Sequence, residues 1–268
     1  MDIPTLLIQT IMLRPYVFLF LGMSVLASSR LLGWKRTGLM FGLTWITAFL
    51  SEFSSTRIGF PFGDYYYTGS TVGEELYISN IPFMDSLSFT FLLHASYCMA
   101  LMFVLSWKQS DPLSGWDFNQ HIRTSWPVIL LTTLFMTFID IVIDPIALRG
   151  DQWFLGRIYG YPNPGVYFGI PLANFLGWAT VGIISIGLYC AIDRVQWLDA
   201  PPPQAIVQHS LLLGVGLYYL VLAFNLSVTF WIGEYLIGMV GCLIYLPISL
   251  LLMLRIFGRI PPALRNSL

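Results

Sequence analysis

Seven stretches of this chain are apolar for long enough to cross a lipid bilayer, and nothing else in the sequence limits the fold as strongly. A crossing helix needs about 17–25 predominantly apolar residues. The runs lie at Pro15–Leu32, Thr37–Ser54, Ile81–Trp107, Trp126–Ala147, Gly169–Ile192, Ala205–Phe230 and Tyr235–Phe257. Inside a bilayer the backbone must satisfy its own polar groups, so apolar segments of this length fold as helices. A shorter apolar stretch, Ile3–Leu13, precedes Arg14 and Pro15. It suits a helix along the interface or an extra membrane segment.

Composition agrees. Of 268 residues, 56% are hydrophobic and 10% charged, against about 25% charged in soluble domains. In water such a chain would leave too much apolar surface exposed; lipid removes that cost. The expected fold is therefore all-α: a polytopic transmembrane bundle of about seven helices, with residues 1–268 as a single integral membrane domain. The net charge of −1 and the lack of a basic patch exclude nucleic acid as a partner. Cys98, Cys190 and Cys242 each sit within apolar sequence and read as small buried hydrophobes, not as disulfide or metal pairs. No cleavable signal peptide is visible, so the first apolar helix is expected to act as its own targeting signal.

Lys and Arg in the loops set the orientation. Arg30, Lys35, Arg36, Lys108, Arg123, Arg194, Arg255, Arg259 and Arg265 fall on one side; Arg14, Arg57, Arg149 and Arg157 fall on the other. This bias puts the N-terminus outside and the C-terminus in the cytoplasm.

With that orientation, polar residues collect at one depth. Glu52, Asp85, Asp140, Asp144, Asn174 and Asn225 all fall in the outer third of their helices, and Glu234 stands just before the last one. An ionisable group inside a membrane helix is costly unless it has a partner or a watered cavity. Carboxyls at one depth therefore point to a shared polar cavity, although Glu52 and Glu234 also fit plain interfacial positions. Asp140 and Asp144 are four residues apart and share a helix face. Two such carboxyls in a low-dielectric site do not ionise together, so the pair can hold a proton and act as an acid. The plainer reading is a hydrogen-bonded clamp, with Arg149 or Arg57 as partner. His94 reads as a packed hydrogen bonder, and no histidines stand at metal-site spacing. No metal and no cofactor are expected.

The loops on the same side are rich in Gly, Pro and aromatic residues, which suits tight packed turns. They run Gly59-Phe60-Pro61-Phe62-Gly63-Asp64-Tyr65-Tyr66-Tyr67-Thr68 and Tyr159-Gly160-Tyr161-Pro162-Asn163-Pro164-Gly165. Glu52, Thr56, Gly59, Pro61-Phe62-Gly63, Tyr65 and Tyr67-Thr68 together resemble the E-x-x-x-T-x-x-G-x-PFG-x-Y-x-YT signature of a family of membrane carotenoid-biosynthesis proteins. Asp140, Asp144-Pro145 and Trp153 resemble its second signature. The run from Tyr167 to Trp178, including Gly169-Ile170-Pro171, Asn174-Phe175 and Gly177-Trp178, is similar to its third. The likeness covers most of residues 45–180. Around Phe83-Met84-Asp85-Ser86-Leu87-Ser88 the chain is more polar than the family pattern suggests.

The resemblance implies a carotenoid 1,2-hydratase, of the γ-carotene or bisanhydrobacterioruberin hydratase type. Such an enzyme adds water to the terminal isopropylidene double bond of a linear carotenoid. Protonation gives a tertiary cation, and water captures it. Asp140 or Asp144 is the expected proton donor. Glu52, Asp85 or Asn174 is expected to orient the water. Tyr65, Tyr67, Trp153 and Trp178 either face the cation, at about 0.5–2 kcal/mol per contact, or form an interfacial belt. A lycopene-like substrate would arrive from the lipid phase of a bacterial or archaeal plasma membrane, with other enzymes of the carotenoid pathway as possible partners. Alternatives are a carotene cyclase, which shares the protonation step; an intramembrane prenyltransferase, for which a second Asp-rich motif is missing; and a proton-coupled transporter. A retinal photoreceptor is excluded, since Lys35 and Lys108 both sit at helix ends.

Overall fold

In a computed structural model, residues 2–106, 117–195 and 204–257 are described. Trp107, Lys108, Arg259 and Arg265, used above for span limits and charge bias, lie outside them. The chain begins with α1 (Ile3–Leu13) and α2 (Pro15–Leu32), separated by Arg14, with Pro15 at the first helical position. There its missing N–H costs no hydrogen bond. Gly33, at φ 84°, turns the chain into α3 (Trp34–Ile58). After the first aromatic loop come α4 (Phe83–Val104), the short α5 (Gln120–Arg123) and α6 (Trp126–Ala147). After the second loop come α7 (Leu172–Asp193), α8 (Gln204–Trp231) and α9 (Tyr235–Phe257).

The all-α bundle is as expected, with one difference in count. Among the described residues, six helices are long and apolar enough to span a membrane: α2, α4, α6, α7, α8 and α9. The remaining predicted span, Thr37–Ser54, lies within α3. That helix has 25 residues, but Lys35, Arg36, Glu52 and Arg57 leave it more polar than the rest. Ile3–Leu13 forms a separate helix of 11 residues, too short to cross.

Helix α4 is the axis of the bundle. It packs against α2, α3, α6 and α8, and 78% of its apolar window is buried. A helix enclosed on all sides is apolar all round rather than amphipathic, and α4 reads that way from Phe89 to Met102. The peripheral helices turn residues such as Leu176, Leu188, Leu243 and Leu250 outward, where lipid is their solvent. Cys242 shares that outward position and is exposed. This corrects the expectation that all three cysteines are buried. An apolar neighbourhood in sequence does not separate core from lipid-facing surface. His94 is a packed hydrogen bonder as expected, with Nδ1 2.8 Å from Ser24 Oγ and Nε2 3.5 Å from Cys98 Sγ.

At one end of the bundle, Asp193 is fully buried between Arg36 and Arg123. At the other end the two aromatic loops are joined by a small sheet. Strand β1 (Tyr66–Tyr67) pairs antiparallel with β4 (Tyr159–Gly160), Tyr66 opposite Gly160 and Tyr67 opposite Tyr159. A separate hairpin, β2 (Tyr77–Ile78) with β3 (Ile81–Pro82), leads directly into α4. The Thr68 hydroxyl adds a bond to the Arg157 carbonyl at 2.6 Å.

Two glycines of the quoted motifs have a geometric cause. Gly59 ends α3 in the left-handed region at φ 70°, which other residues adopt only at a cost. Gly177 on α7 lies against the Phe62 loop, and a Cβ there would stand 2.8 Å from the Phe62 Cα. Backbone cannot yield as a flexible side chain does. Gly177→Ala is therefore expected to lose about 1–3 kcal/mol, as in other overpacked sites. Thermal unfolding of the purified variant in detergent checks this.

Candidate active site

The site is built where α3, α4, α6 and α7 meet the aromatic loops. Glu52, nearly two turns before the end of α3, and Asp85, in the first turn of α4, come together around Tyr67. The Tyr67 hydroxyl lies 2.7 Å from Asp85 Oδ2 and 3.2 Å from Glu52 Oε1. Its single proton serves only one of them at a time. The Ser86 hydroxyl donates to the other Glu52 oxygen. Opposite them, Asp140 and Asp144 stand one turn apart on α6. The side-chain amide of Asn174 donates to both, at 3.0 Å to Asp140 Oδ2 and in a still closer contact to Asp144 Oδ2. Neither Arg149 nor Arg57 is the clamp partner considered from sequence. Arg149 pairs with Glu234, and Arg57 bonds the Phe53 carbonyl and Ser79.

Three of these four carboxyls, Glu52, Asp85 and Asp144, line a chamber of about 50 Å³ together with Asn174. Asp140 is fully buried behind Asp144, and its Oδ1 meets no N–H or hydroxyl among the described residues. A water needs at least about 10–15 Å³ of such space, so the chamber has room for a few waters and little else.

Aromatic rings line the chamber. Trp178 stacks on Phe89 at 4.1 Å between centroids. Phe62 meets Phe89 edge-on, and Tyr65 packs against both Tyr67 and Tyr159. The Phe62 amide donates to Ser55 Oγ at 2.9 Å, which seats the Pro61-Phe62-Gly63 loop on α3. Burial, followed by neighbouring carboxyls, pushes the phenols of Tyr67 and Tyr159 well above their ordinary range; Tyr65 and Tyr161 are raised in the same way. All four stay protonated, and Tyr65, Tyr67 and Tyr159 donate hydrogen bonds.

Tyr65, Tyr67 and Trp178 line the chamber. Trp153 does not. It lines a second cavity of about 110 Å³ that is mostly apolar, between α2, α4, α6 and α8. Asp85 and Tyr159 belong to the walls of both cavities. A third, polar cavity of about 460 Å³ contains Arg149, Asp151, Arg157 and Glu234, and it shares Tyr161 with the chamber. Glu234 therefore stands apart from the carboxyl pairs, and Asn225 faces the apolar cavity. Among the described residues, no three of His, Cys, Asp and Glu converge as metal ligands would.

Sequence reasoning missed Tyr159 and Tyr161 as individuals, though the aromatic run containing them was conspicuous. It also missed the buried pair of Arg14 and Glu75, 3.0 Å apart. Those residues are 61 positions apart, and no local pattern links them.

Compared with known families, residues 6–247 match the family described as carotenoid biosynthesis protein. No curated protein and no solved structure matches the chain.

Proposed function

The chain belongs to the carotenoid biosynthesis protein family, and from that premise we propose that it is a carotenoid hydratase, adding water to the terminal isopropylidene double bond of an acyclic carotenoid drawn from the lipid phase. One observation carries the reading: a water-sized chamber lined by carboxyls shares the wall formed by Asp85 and Tyr159 with a mainly apolar cavity. Hydration of an unactivated alkene needs those parts, namely an acid in contact with apolar substrate and water held on the other side of it.

The roles follow from that placement. Carboxyls paired away from bulk water hold a proton between them rather than ionise together. Asp85 is the carboxyl that meets both compartments, so it is the proton donor. This differs from the sequence expectation, which favoured Asp140 or Asp144. Its proton goes to the CH carbon of the double bond and leaves a tertiary cation on the dimethyl carbon. The π face of Tyr159, which belongs to the walls of both compartments, stabilises that cation. A chamber water forms the new C–O bond, and the oxonium gives its extra proton to Asp144. Asn174 holds Asp144 in place, with Asp140 behind it. The remaining waters carry the proton back to Asp85, so one water is consumed and the protein is regenerated. Glu52 and Ser86 fix Tyr67, which in turn positions Asp85. The polar cavity beyond Tyr161 supplies fresh water.

The test is product mass in a lycopene-accumulating bacterium expressing the chain. A pigment heavier by one water and bearing a tertiary alcohol supports hydration. A product of unchanged mass bearing a ring means that an internal double bond captures the cation, making the protein a cyclase. Unaltered lycopene overturns both.

A further inference from the structure

We propose that the apolar cavity is the seat for one isoprenoid terminus, so that the protein recognises the end of an acyclic chain and is indifferent to its middle and far end. The inference rests on the hydratase reading for its choice of ligand and extends it to what the cavity selects. At about 110 Å³ the cavity is similar in size to the ~150 Å³ apolar cavities that take a benzene-sized guest. A branched five-carbon end fits such a space, whereas a whole carotenoid does not. The walls are flat and apolar: Tyr16 stacks on Phe224 at 5.3 Å, and Trp153 packs beside them.

The cavity is also firmly built. The Trp153 indole donates to the Ile146 carbonyl at 3.0 Å, which fixes that wall. Next to Tyr16, Arg14 is completely buried, paired with Glu75 and donating to the carbonyl of Leu155, itself a lining residue. A buried ion pair is costly to form and costlier to break. Here it locks the start of α2 to both loops around the cavity. Its polar lining is Asp85, Ser88, Asn225 and Tyr159; Asp85 and Tyr159 also belong to the chamber, so a terminus that fills the space lies against it.

Competition and substitution test this in the full-length protein in nanodiscs, with lycopene turnover as the readout. Squalene carries the same isopropylidene ends on an unconjugated chain. β-Carotene carries the conjugated middle with ring ends, and squalane serves as the saturated control. Squalene is expected to compete with lycopene, while β-carotene is not. Val221→Phe and, independently, Ala147→Leu narrow the cavity, and each is expected to raise KM for lycopene at least about tenfold, as steric changes in hydrophobic pockets do. Thermal unfolding identifies which variants are folded. Competition by β-carotene without competition by squalene overturns the proposal, as does an unchanged KM in a folded narrowed variant. Thermal stabilisation by squalene but not squalane, lost in the narrowed variants, supports the seat even if no substrate is ever hydrated; that result would overturn the hydratase reading alone.

Discussion

Asp85→Asn and Asp144→Asn are each expected to lower hydration by about 10²–10⁴-fold, the usual range for removing a general acid or base, while the protein stays folded. Both changes are isosteric. Asn at 85 still presents an oxygen to the Tyr67 hydroxyl, now 2.7 Å from Asp85 Oδ2. Asn at 144 still accepts from the Asn174 amide. What each loses is the ability to exchange a proton. The two losses differ in kind under the proposed roles. Asn at 85 removes the proton that starts the reaction, so no altered product forms. Asn at 144 removes the base that completes water addition, so cations that form revert or lose a proton elsewhere and give isomerised alkene. Chromatography and mass analysis of pigments from the two variants separate these outcomes. Full activity in folded Asp85→Asn would remove the donor assignment.

The second large effect is on stability, at the opposite end of the bundle. Asp193→Ala is expected to cost about 3–5 kcal/mol, the range for breaking a buried ion pair by removing one partner. Arg36 Nε lies 2.6 Å from Asp193 Oδ1; Arg123 approaches both oxygens, at 2.9 and 3.1 Å. The carboxylate is fully buried, so water does not replace it. Helices α3, α5 and α7 are tied at this point, and Gln120 adds a bond to the Asp193 carbonyl. Denaturant or thermal unfolding in detergent measures the loss. Because the cluster is remote from the carboxyl chamber, the folded fraction should keep its turnover.

The same cluster shows how far the sequence could be read. Arg36 and Arg123 entered the sequence argument as loop charges biasing orientation. In the structure both are buried and share one carboxylate. Asp193 drew no notice, because its partners lie 157 and 70 residues away. The bundle itself was legible, since span length and hydropathy follow from bilayer thickness and need no knowledge of neighbours. Three helix ranges, Pro15–Leu32, Trp126–Ala147 and Tyr235–Phe257, coincide with the sequence expectation. The convergence of Glu52, Asp85, Asp144 and Asn174 was also readable, because depth in a membrane is a one-dimensional quantity that a sequence encodes.

What only the tertiary structure decided is lateral position. Residues at one depth can face a common cavity, a neighbouring cavity or lipid, and hydropathy does not separate these cases. Glu234 and Asn225 share the depth of the carboxyl pairs but not their chamber. Trp153 turned out to wall an apolar space, and Cys242 to face outward. The seven apolar runs thus determined by themselves that the chain is a helical membrane bundle with a polar layer near one end. The packing of α2, α4, α6 and α8 decided that this layer meets an apolar cavity at Asp85. That depends on which side each helix turns to its neighbours, a rotation that apolar sequence leaves free when core and lipid are equally apolar.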